Sequence, residues 1–337
     1  MRRDRTDRSP RRPRSLGRLA LAASTVTALW AAASGCVVVH GEREVVPATT
    51  RADAARALAD FTAAYNKADA TYDRSKDADR VTGPLAAIDA AKLKAGRAGN
   101  PGGNPAHSAL TFGDARFSIP AKAGWPRWFV ADATANKGVP GSRWLLVFTR
   151  DNAREPWQAS YLTVLGAGAV PKFATDAGGW AQPVAADDPA LAVEPRGLGR
   201  SYATYLKTGG DTFAAGVHTS QWRAQREKYA SRPGLARQYI DEPLTSGDYA
   251  PVGLRTADGG ALVFFATHRF EKETAAAGTE IPSPGADVQA LTTGEIGQSL
   301  TLEFVSNQVV LDPPKRSGGG RVSVLGRVEG LTGAKGE

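Results

Sequence analysis

The residue best placed for covalent chemistry is Cys36, the only cysteine in the 337-residue chain. Eight arginines and two acids crowd residues 1–18, whereas residues 19–35 carry no charge. The uncharged run ends on small residues, from Ala31 to Gly35, directly before Cys36. A basic region, an apolar region and a small-residue cleavage point together form a secretory signal. Residues 1–35 are therefore predicted to be a signal peptide.

The cleavage point resembles a bacterial lipobox through Ser34, Gly35 and Cys36, although Ala33 stands where leucine is usual. The resemblance implies cleavage between Gly35 and Cys36 and a diacylglycerol on the cysteine sulfur. The predicted partner of Cys36 is thus membrane lipid, and the predicted location is the extracytoplasmic face of the cell membrane. Residues 36–50 would then form a lipidated tether.

An uncleaved membrane-spanning helix and ordinary secretion are the alternatives to lipidation. A spanning helix needs about 20 strongly apolar residues, but this run consists mostly of Ala, Ser and Thr. Arg11 and Arg12 leave twin-arginine export open beside the general export route.

The strong positive charge belongs mainly to the signal. The chain has 42 basic and 34 acidic residues. Residues 1–35 hold eight of the basic and two of the acidic residues, so their removal lowers the net charge from +8 to +2. A near-neutral body gives no electrostatic reason to expect nucleic-acid binding.

No metal, cofactor or catalytic site is predicted. The four histidines show no pair at helical spacing and no zinc-protease pattern. No nucleophile elbow or phosphate-binding loop is recognisable. His268, on an expected strand near Arg269 and Glu271, is the most arguable general base, but it lacks an evident orienting partner. The chain is therefore predicted not to be an enzyme.

Tryptophans suggest a binding surface instead. Five of the six that follow the signal lie between Trp125 and Trp180. Indole rings stack on sugars and apolar ligands, but they also fill the cores of sheets. The candidates for ligand or partner contact are Trp125, Trp128, Trp157 and Trp180.

Two segments of similar order are expected to position these residues, a first unit at 51–166 and a second at 189–331. In the first unit, Thr50 and Asp53 predict a capped helix start, and Thr82-Gly83-Pro84 predicts a second helix. Apolar residues three and four apart give the first helix one buried face: Leu58, Phe61, Tyr65, Ala68 and Tyr72. A loop is expected at 94–108. Four strands should follow: 110–119, 127–131, 144–150 and 158–165.

In the second unit, helices are expected after Pro195 and after Thr219. A hairpin is predicted from 252–256 and 262–270, joined by a turn at 258–260. Alternation at Leu300, Leu302 and Phe304 predicts a half-buried strand, and 321–328 should be the last strand. Residues 332–337 are expected to be a polar tail.

Helices that precede strands in each segment predict an α+β fold. It would contain two tandem units, each with N-terminal helices packed on a curved antiparallel sheet. A similar run of residues at 144–150 and 261–267 hints at a duplication.

The chain also resembles a known group. The signal with Cys36, the helix through 61–66, the strand at 144–150 and the ending at 324–326 look like uncharacterised actinobacterial lipoproteins of Streptomyces type, which carry a domain of unknown function. A helix-plus-curved-sheet unit is also similar to nuclear-transport-factor-like and cystatin-like folds, an analogy that implies no activity.

These observations favour a membrane-anchored extracytoplasmic lipoprotein that binds an envelope protein or a cell-wall ligand. An envelope enzyme that acts on wall material, and a structural or assembly accessory protein, are the alternatives. A pocket with convergent titratable groups would favour the enzyme, and an exposed aromatic patch would favour partner binding.

Overall fold

A computed structural model describes residues 44–315 and 320–337, and residues 44–337 form one compact unit. The fold is α+β, and its sheets are antiparallel apart from one short parallel pairing at an edge. The signal, Cys36 and most of the expected tether lie outside the described residues.

The first half of the chain places two helices before a four-stranded sheet. Helix α1 spans Arg51–Thr71 and helix α2 spans Gly83–Gly99. The expected cap is present, since the Asp53 amide donates to Thr50 Oγ1 at 3.0 Å. The strands of this half are β1 (Val46–Pro47), β2 (Phe112–Ser118), β3 (Ala121–Lys122), β4 (Arg127–Ala135), β5 (Arg143–Arg150) and β6 (Gln158–Leu165). The sheet order is β2-β4-β5-β6, whereas β1 pairs separately with β3.

The second half repeats this order with a larger sheet. Helix α3 spans Leu198–Thr208 and helix α4 spans Ser220–Tyr229, and a short α5 at Ala286–Leu291 comes later. The strands are β7 (Ser231–Arg232), β8 (Leu235–Leu244), β9 (Val252–Arg255), β10 (Ala261–Ala275), β11 (Thr292–Thr293), β12 (Ser299–Asp312) and β13 (Ser323–Gly336). Strand β9 pairs with the start of β10, which confirms the expected hairpin.

Three apolar layers form the core, and the middle one joins the two halves. Phe61 of α1 packs on Phe129 and Phe148 of the four-stranded sheet. The opposite face of that sheet packs against the larger sheet, where Tyr161 meets Phe264. On the outer face of the larger sheet, Tyr202 of α3 packs on Phe265. The layers thus run helix, sheet, sheet, helix.

Several expected boundaries are wrong. Helix α2 continues to Gly99, into the expected loop at 94–108, because Leu93 and Ala95 are buried on its face. The tether prediction is wrong at its end, because Val46–Pro47 form a strand and Ala48 is buried. The polar tail at 332–337 is also wrong, because β13 continues to Gly336.

Strand β13 extends because its backbone is paired on both sides, with β12 and with β11. Ladder hydrogen bonds do not depend on apolar side chains, so a sequence that looks polar can still be a strand. The division into units at 51–166 and 189–331 stays a prediction, as does their duplication. The segment between them is tied to both halves, since Ala181 bridges to Pro120 and Pro183 bridges to Leu254.

Candidate ligand-binding cleft

A cleft of about 450 Å³ opens where helix α2 begins, against a turn from the second half of the chain. One wall is formed by residues 74–90, and the other is the turn that contains Asp248 and Tyr249. The floor includes Gln158 of strand β6. Both halves of the chain therefore contribute to this cleft.

The start of α2 is fitted tightly to the opposite wall. Thr82 Oγ1 donates to Asp248 Oδ2 at 2.5 Å. Gly83 has a φ of +53°, and a Cβ at this position would collide with the Asp248 carbonyl oxygen. A glycine is required there, because other residues rarely adopt this conformation and none would fit the space. The buried Tyr161 hydroxyl donates to the Tyr249 carbonyl at 2.8 Å and holds the turn from below.

Two buried carboxyl groups, Asp77 and Asp89, lie side by side in the cleft lining. Asp77 is 1% exposed and Asp89 is 5% exposed. Burial, and then the negative charge of Asp89, raise the pKa of Asp77 to about 8. Burial also raises the pKa of Asp89. Two carboxylates cannot both ionise cheaply at such close range, so at neutral pH the pair shares a proton, with Asp77 as the donor to Asp89.

The pair is incompletely bonded. Apart from the other acid of the pair, the buried Asp77 Oδ2 has no hydrogen-bond partner among residues 44–315 and 320–337. A buried carboxyl group that is bonded only to a second acid costs free energy and calls for an explanation. A ligand that brings a hydrogen-bond donor into the cleft would offset this cost.

The charge around the pair is predominantly negative. Arg74 is the one cation among the described lining residues, and Asp248 adds a further carboxylate. Outside the lining, Lys92 stabilises the charge on Asp89. Burial, and then the charge of Asp248, raise the pKa of the neighbouring Asp151. An amine or guanidinium group would complement this cleft better than an anion would.

A second polar cluster joins α1, α2 and residues 104–107, and it is fully bonded. Asp69 accepts from Lys92 Nζ at 2.7 Å and faces His107 Nδ1 at 2.8 Å. Asn104 also donates to it at 3.1 Å. Each carboxylate oxygen is thus occupied, and the cluster ties residues 104–107 to α1. We assign it a structural role.

The predicted tryptophan sites are dispersed. Trp125 is the most exposed, at 37%, and Arg150 stacks between it and Trp157, with its guanidinium carbon 5.3 and 4.6 Å from the two rings. Trp128 is buried between the sheets, and Trp180 packs at the edge of the first core. The structure therefore brings only Trp125 and Trp157 together. Ligand contact by any of the four stays a prediction.

Other sequence-predicted residues are also placed. His268 lies beside Phe270, with Nε2 3.7 Å from Glu303 Oε2. The described residues contain no group of three or more His, Cys, Asp or Glu side chains able to hold a metal ion. Cys36 and the cleavage point after Gly35 lie outside the described residues. No helix within the described residues is long and apolar enough to cross a bilayer.

The sequence contained a signal for the missed pair. Leu85, Asp89 and Leu93 are four residues apart, so they share the buried face of α2. A carboxyl group on an apolar helix face marks a buried acid. Asp77 has no such signal, because it lies in the charged segment 73–79, where an acid is ordinary.

Comparison with known proteins gives a family but no activity. Residues 45–336 match a family described as "Domain of unknown function (DUF8094)". The chain belongs to this family. The match covers both sheets and the whole cleft. No solved structure matches the chain, so the likeness to nuclear-transport-factor-like and cystatin-like folds stays a prediction.

Chains similar to this one are named as lipoproteins. An "uncharacterized lipoprotein" of Streptomyces coelicolor is 63% identical over 98% of this chain and 99% of its own length. One from Streptomyces avermitilis is 61% identical over the same shares. A second S. coelicolor lipoprotein is 27% identical over 80% of this chain and 78% of its own. The chain is thus a lipoprotein-type protein similar to those of Streptomyces.

Proposed function

We propose that this protein is anchored by lipid on Cys36 at the outer face of the cell membrane and binds a cationic ligand or partner group in the acidic cleft. The anchor is supported by the signal before Cys36 and by the lipoprotein names of the relatives. The observation that carries the binding function is the Asp77–Asp89 pair, two buried carboxyl groups in the lining of an acidic cleft that form no ion pair with any described residue.

A cationic donor would change the state of the pair. Its positive charge favours two ionised carboxylates, so binding would release the shared proton. Affinity should then increase as the pH rises toward the pKa of Asp77, about 8. An envelope protein that presents lysine or arginine, or a cell-wall peptide with a free amine, has this chemistry.

The direct test uses simple probes. Cadaverine and agmatine, a diamine and a guanidinium amine, would be titrated into the protein while NMR shifts or heat are recorded at pH 6 and pH 8.5. We expect tighter binding at pH 8.5 than at pH 6, and proton release on binding at pH 6, where the free pair still holds its proton. The Asp77→Asn/Asp89→Asn variant should lose this binding, whereas Asp69→Asn, outside the cleft, should keep it. Equal binding by wild type and cleft variant would refute the proposal.

A second candidate function is an envelope hydrolase. Two carboxyl groups that share one proton can supply both an acid and a base at neutral pH. Purified cell-wall fragments would be incubated with wild type and with Asp77→Asn. Cleavage that the variant lacks would establish the enzyme. Absence of both cleavage and probe binding would leave the structural or assembly role.

A further inference from the structure

A second surface lies where the tether joins the body, and it is basic and aromatic. Strand β1 pairs with β3, so the point where the chain enters the body is next to Lys122. The Arg127 guanidinium stacks on Trp125 at 4.8 Å and donates to the Pro47 carbonyl at 3.3 Å. The Arg150 guanidinium also lies over the Trp125 ring, at 5.3 Å from its centroid. We call Lys122, Trp125, Arg127 and Arg150 the tether-side surface.

Its cations lack acidic partners. Among the described residues, none of the ion pairs includes Lys122, Arg127 or Arg150. The nearby Asp53 is already paired with Arg56. Asp53, Asp60 and Glu155 line the groove that also contains Arg150, and the charge of Asp53 partly opposes that of Arg150. Burial, and then the charge of Arg127, lower the pKa of both Lys122 and Arg150, as expected for cations crowded together.

The length of the tether limits how far this surface can lie from the membrane. Nine residues separate Cys36 from β1. Even fully extended, a chain of this length spans at most about 35 Å. Lipid on Cys36 would therefore keep the body close to the bilayer, with the end of the tether fixed beside Lys122 and Arg127.

We infer that the tether-side surface docks on the anionic headgroups of the membrane that holds the anchor. Arginine and lysine side chains are attracted to anionic lipid surfaces. Tryptophan prefers the headgroup region, where its ring is half buried and half hydrated. Docking would orient the body and fix the direction in which the acidic cleft faces. The inference rests on the anchor part of the proposed function.

The test uses the lipidated mature protein in vesicles with headgroup-proximal brominated lipids, which quench nearby tryptophan fluorescence. In vesicles with about one-third phosphatidylglycerol, quenching should exceed that in neutral vesicles and should fall at high salt. Trp125→Phe should remove most of the quenched signal. Lys122→Gln/Arg127→Gln should raise the anionic lipid fraction needed for half-maximal quenching severalfold, since each lost cation weakens binding about fivefold.

A matched control comes from another basic and aromatic surface. Lys207 and Lys228 are exposed, and Lys228 lies over the ring of the exposed Tyr229. Lys207→Gln/Lys228→Gln removes the same charge far from the tether and should leave quenching unchanged.

The outcomes separate docking from anchoring. If the protein stays in the membrane but Trp125 is quenched equally in neutral vesicles, docking is wrong and the anchor stands. If soluble polyphosphate at low concentration removes the quenching, the surface prefers a soluble polyanion and docking is again wrong. If Cys36 carries no lipid, the anchor is wrong. Vesicle sedimentation of that unlipidated chain with and without phosphatidylglycerol then tests the surface directly.

Discussion

The protein buries charged groups in two regions. In one region each buried charge has an opposite charge bonded to it, and in the other it does not. On the outer face of the larger sheet, Arg269 is 4% exposed at its side chain and makes a bidentate pair with Glu329, at 2.8 and 3.2 Å. Arg226 makes a similar pair with Asp241, at 2.5 and 2.9 Å. In the cleft, by contrast, Asp77 and Asp89 are bonded only to each other, and the nearby cations Arg74 and Lys92 form no ion pair with them.

The difference shows in the pKa values. Burial alone would raise the pKa of Glu329, but the hydrogen bond from Arg269 and the nearby arginine charges outweigh it and lower the pKa. In the cleft nothing outweighs burial, so the pKa of Asp77 rises. A compensated charge network stabilises a fold, whereas an uncompensated pair is retained at a cost in stability, which is typical of functional sites.

The largest expected change in stability is at the ion pair of Arg269 and Glu329. Arg269→Met should lower the free energy of unfolding by about 3–5 kcal/mol, because it leaves Glu329 buried without its partner. Chemical denaturation at pH 7 measures this. The double variant Arg269→Met/Glu329→Leu should recover part of the loss. A loss below about 1 kcal/mol for the single variant would mean that the network is dispensable.

The next effect concerns the cleft wall. Gly83→Ala should cost about 2–3 kcal/mol, because the residue has a positive φ and its Cβ would strike the Asp248 backbone. Thermal unfolding followed by circular dichroism measures it. Gly99→Ala is the matched control, since it lies at the end of the same helix with open space around it. Equal melting temperatures for both variants would contradict the tight fit.

Asp77→Asn should raise the stability of the protein at pH 8, whereas Arg269→Met should lower it. The folded state holds a proton on Asp77 up to about pH 8, whereas the unfolded chain releases it near the ordinary value of 3.8. Wild-type stability should therefore fall as the pH rises from about 5 to 8. The Asn variant cannot ionise, so at pH 8 it should exceed wild type by about 1–2 kcal/mol.

Denaturation curves at pH 5, 6.5 and 8 check this sign. Asp69→Asn is the control, because that carboxylate is ionised and bonded to Lys92 and His107, so its loss should destabilise. A variant that is less stable than wild type at pH 8 would show that the pair is compensated after all.

The smallest change in stability is expected at the edge of the cleft, where Thr82 is bonded to Asp248. Thr82→Val removes one hydrogen bond to Asp248 and should cost about 0.5–1 kcal/mol. Faster amide hydrogen exchange in residues 247–250 should accompany it. Thr71→Val, which removes a hydroxyl bond within α1 only, should leave exchange in that turn unchanged.

The sequence predicted elements well wherever apolar periodicity is regular. Helix α1, its Thr50 cap, strands β4 to β6 and the β9–β10 hairpin are found as expected. Strand β8 was missed, because its inward face carries Arg237, Tyr239 and Asp241 instead of apolar residues. Ion pairs take the place of apolar packing on that face, so the alternation that marks a half-buried strand is absent.

The candidate cleft could not be predicted for a related reason. Asp77 and Asp89 are twelve positions apart and belong to different local patterns, and Asp248 comes from the other half of the chain. Only Asp89, on the apolar face of α2, carried a local signal. The raised pKa of the pair arises from burial and proximity, which depend on three-dimensional packing.

The sequence by itself determined the signal before Cys36, the near-neutral charge of the body and the α+β order of helices before strands. These properties depend on composition and on local periodicity, which are present in the linear chain. Only the tertiary structure decided that the two sheets share a core, that a polar C terminus completes a sheet, and that Asp77 and Asp89 meet inside a cleft. Those outcomes require contacts between residues distant in sequence, and their energies come from burial, which no local pattern encodes.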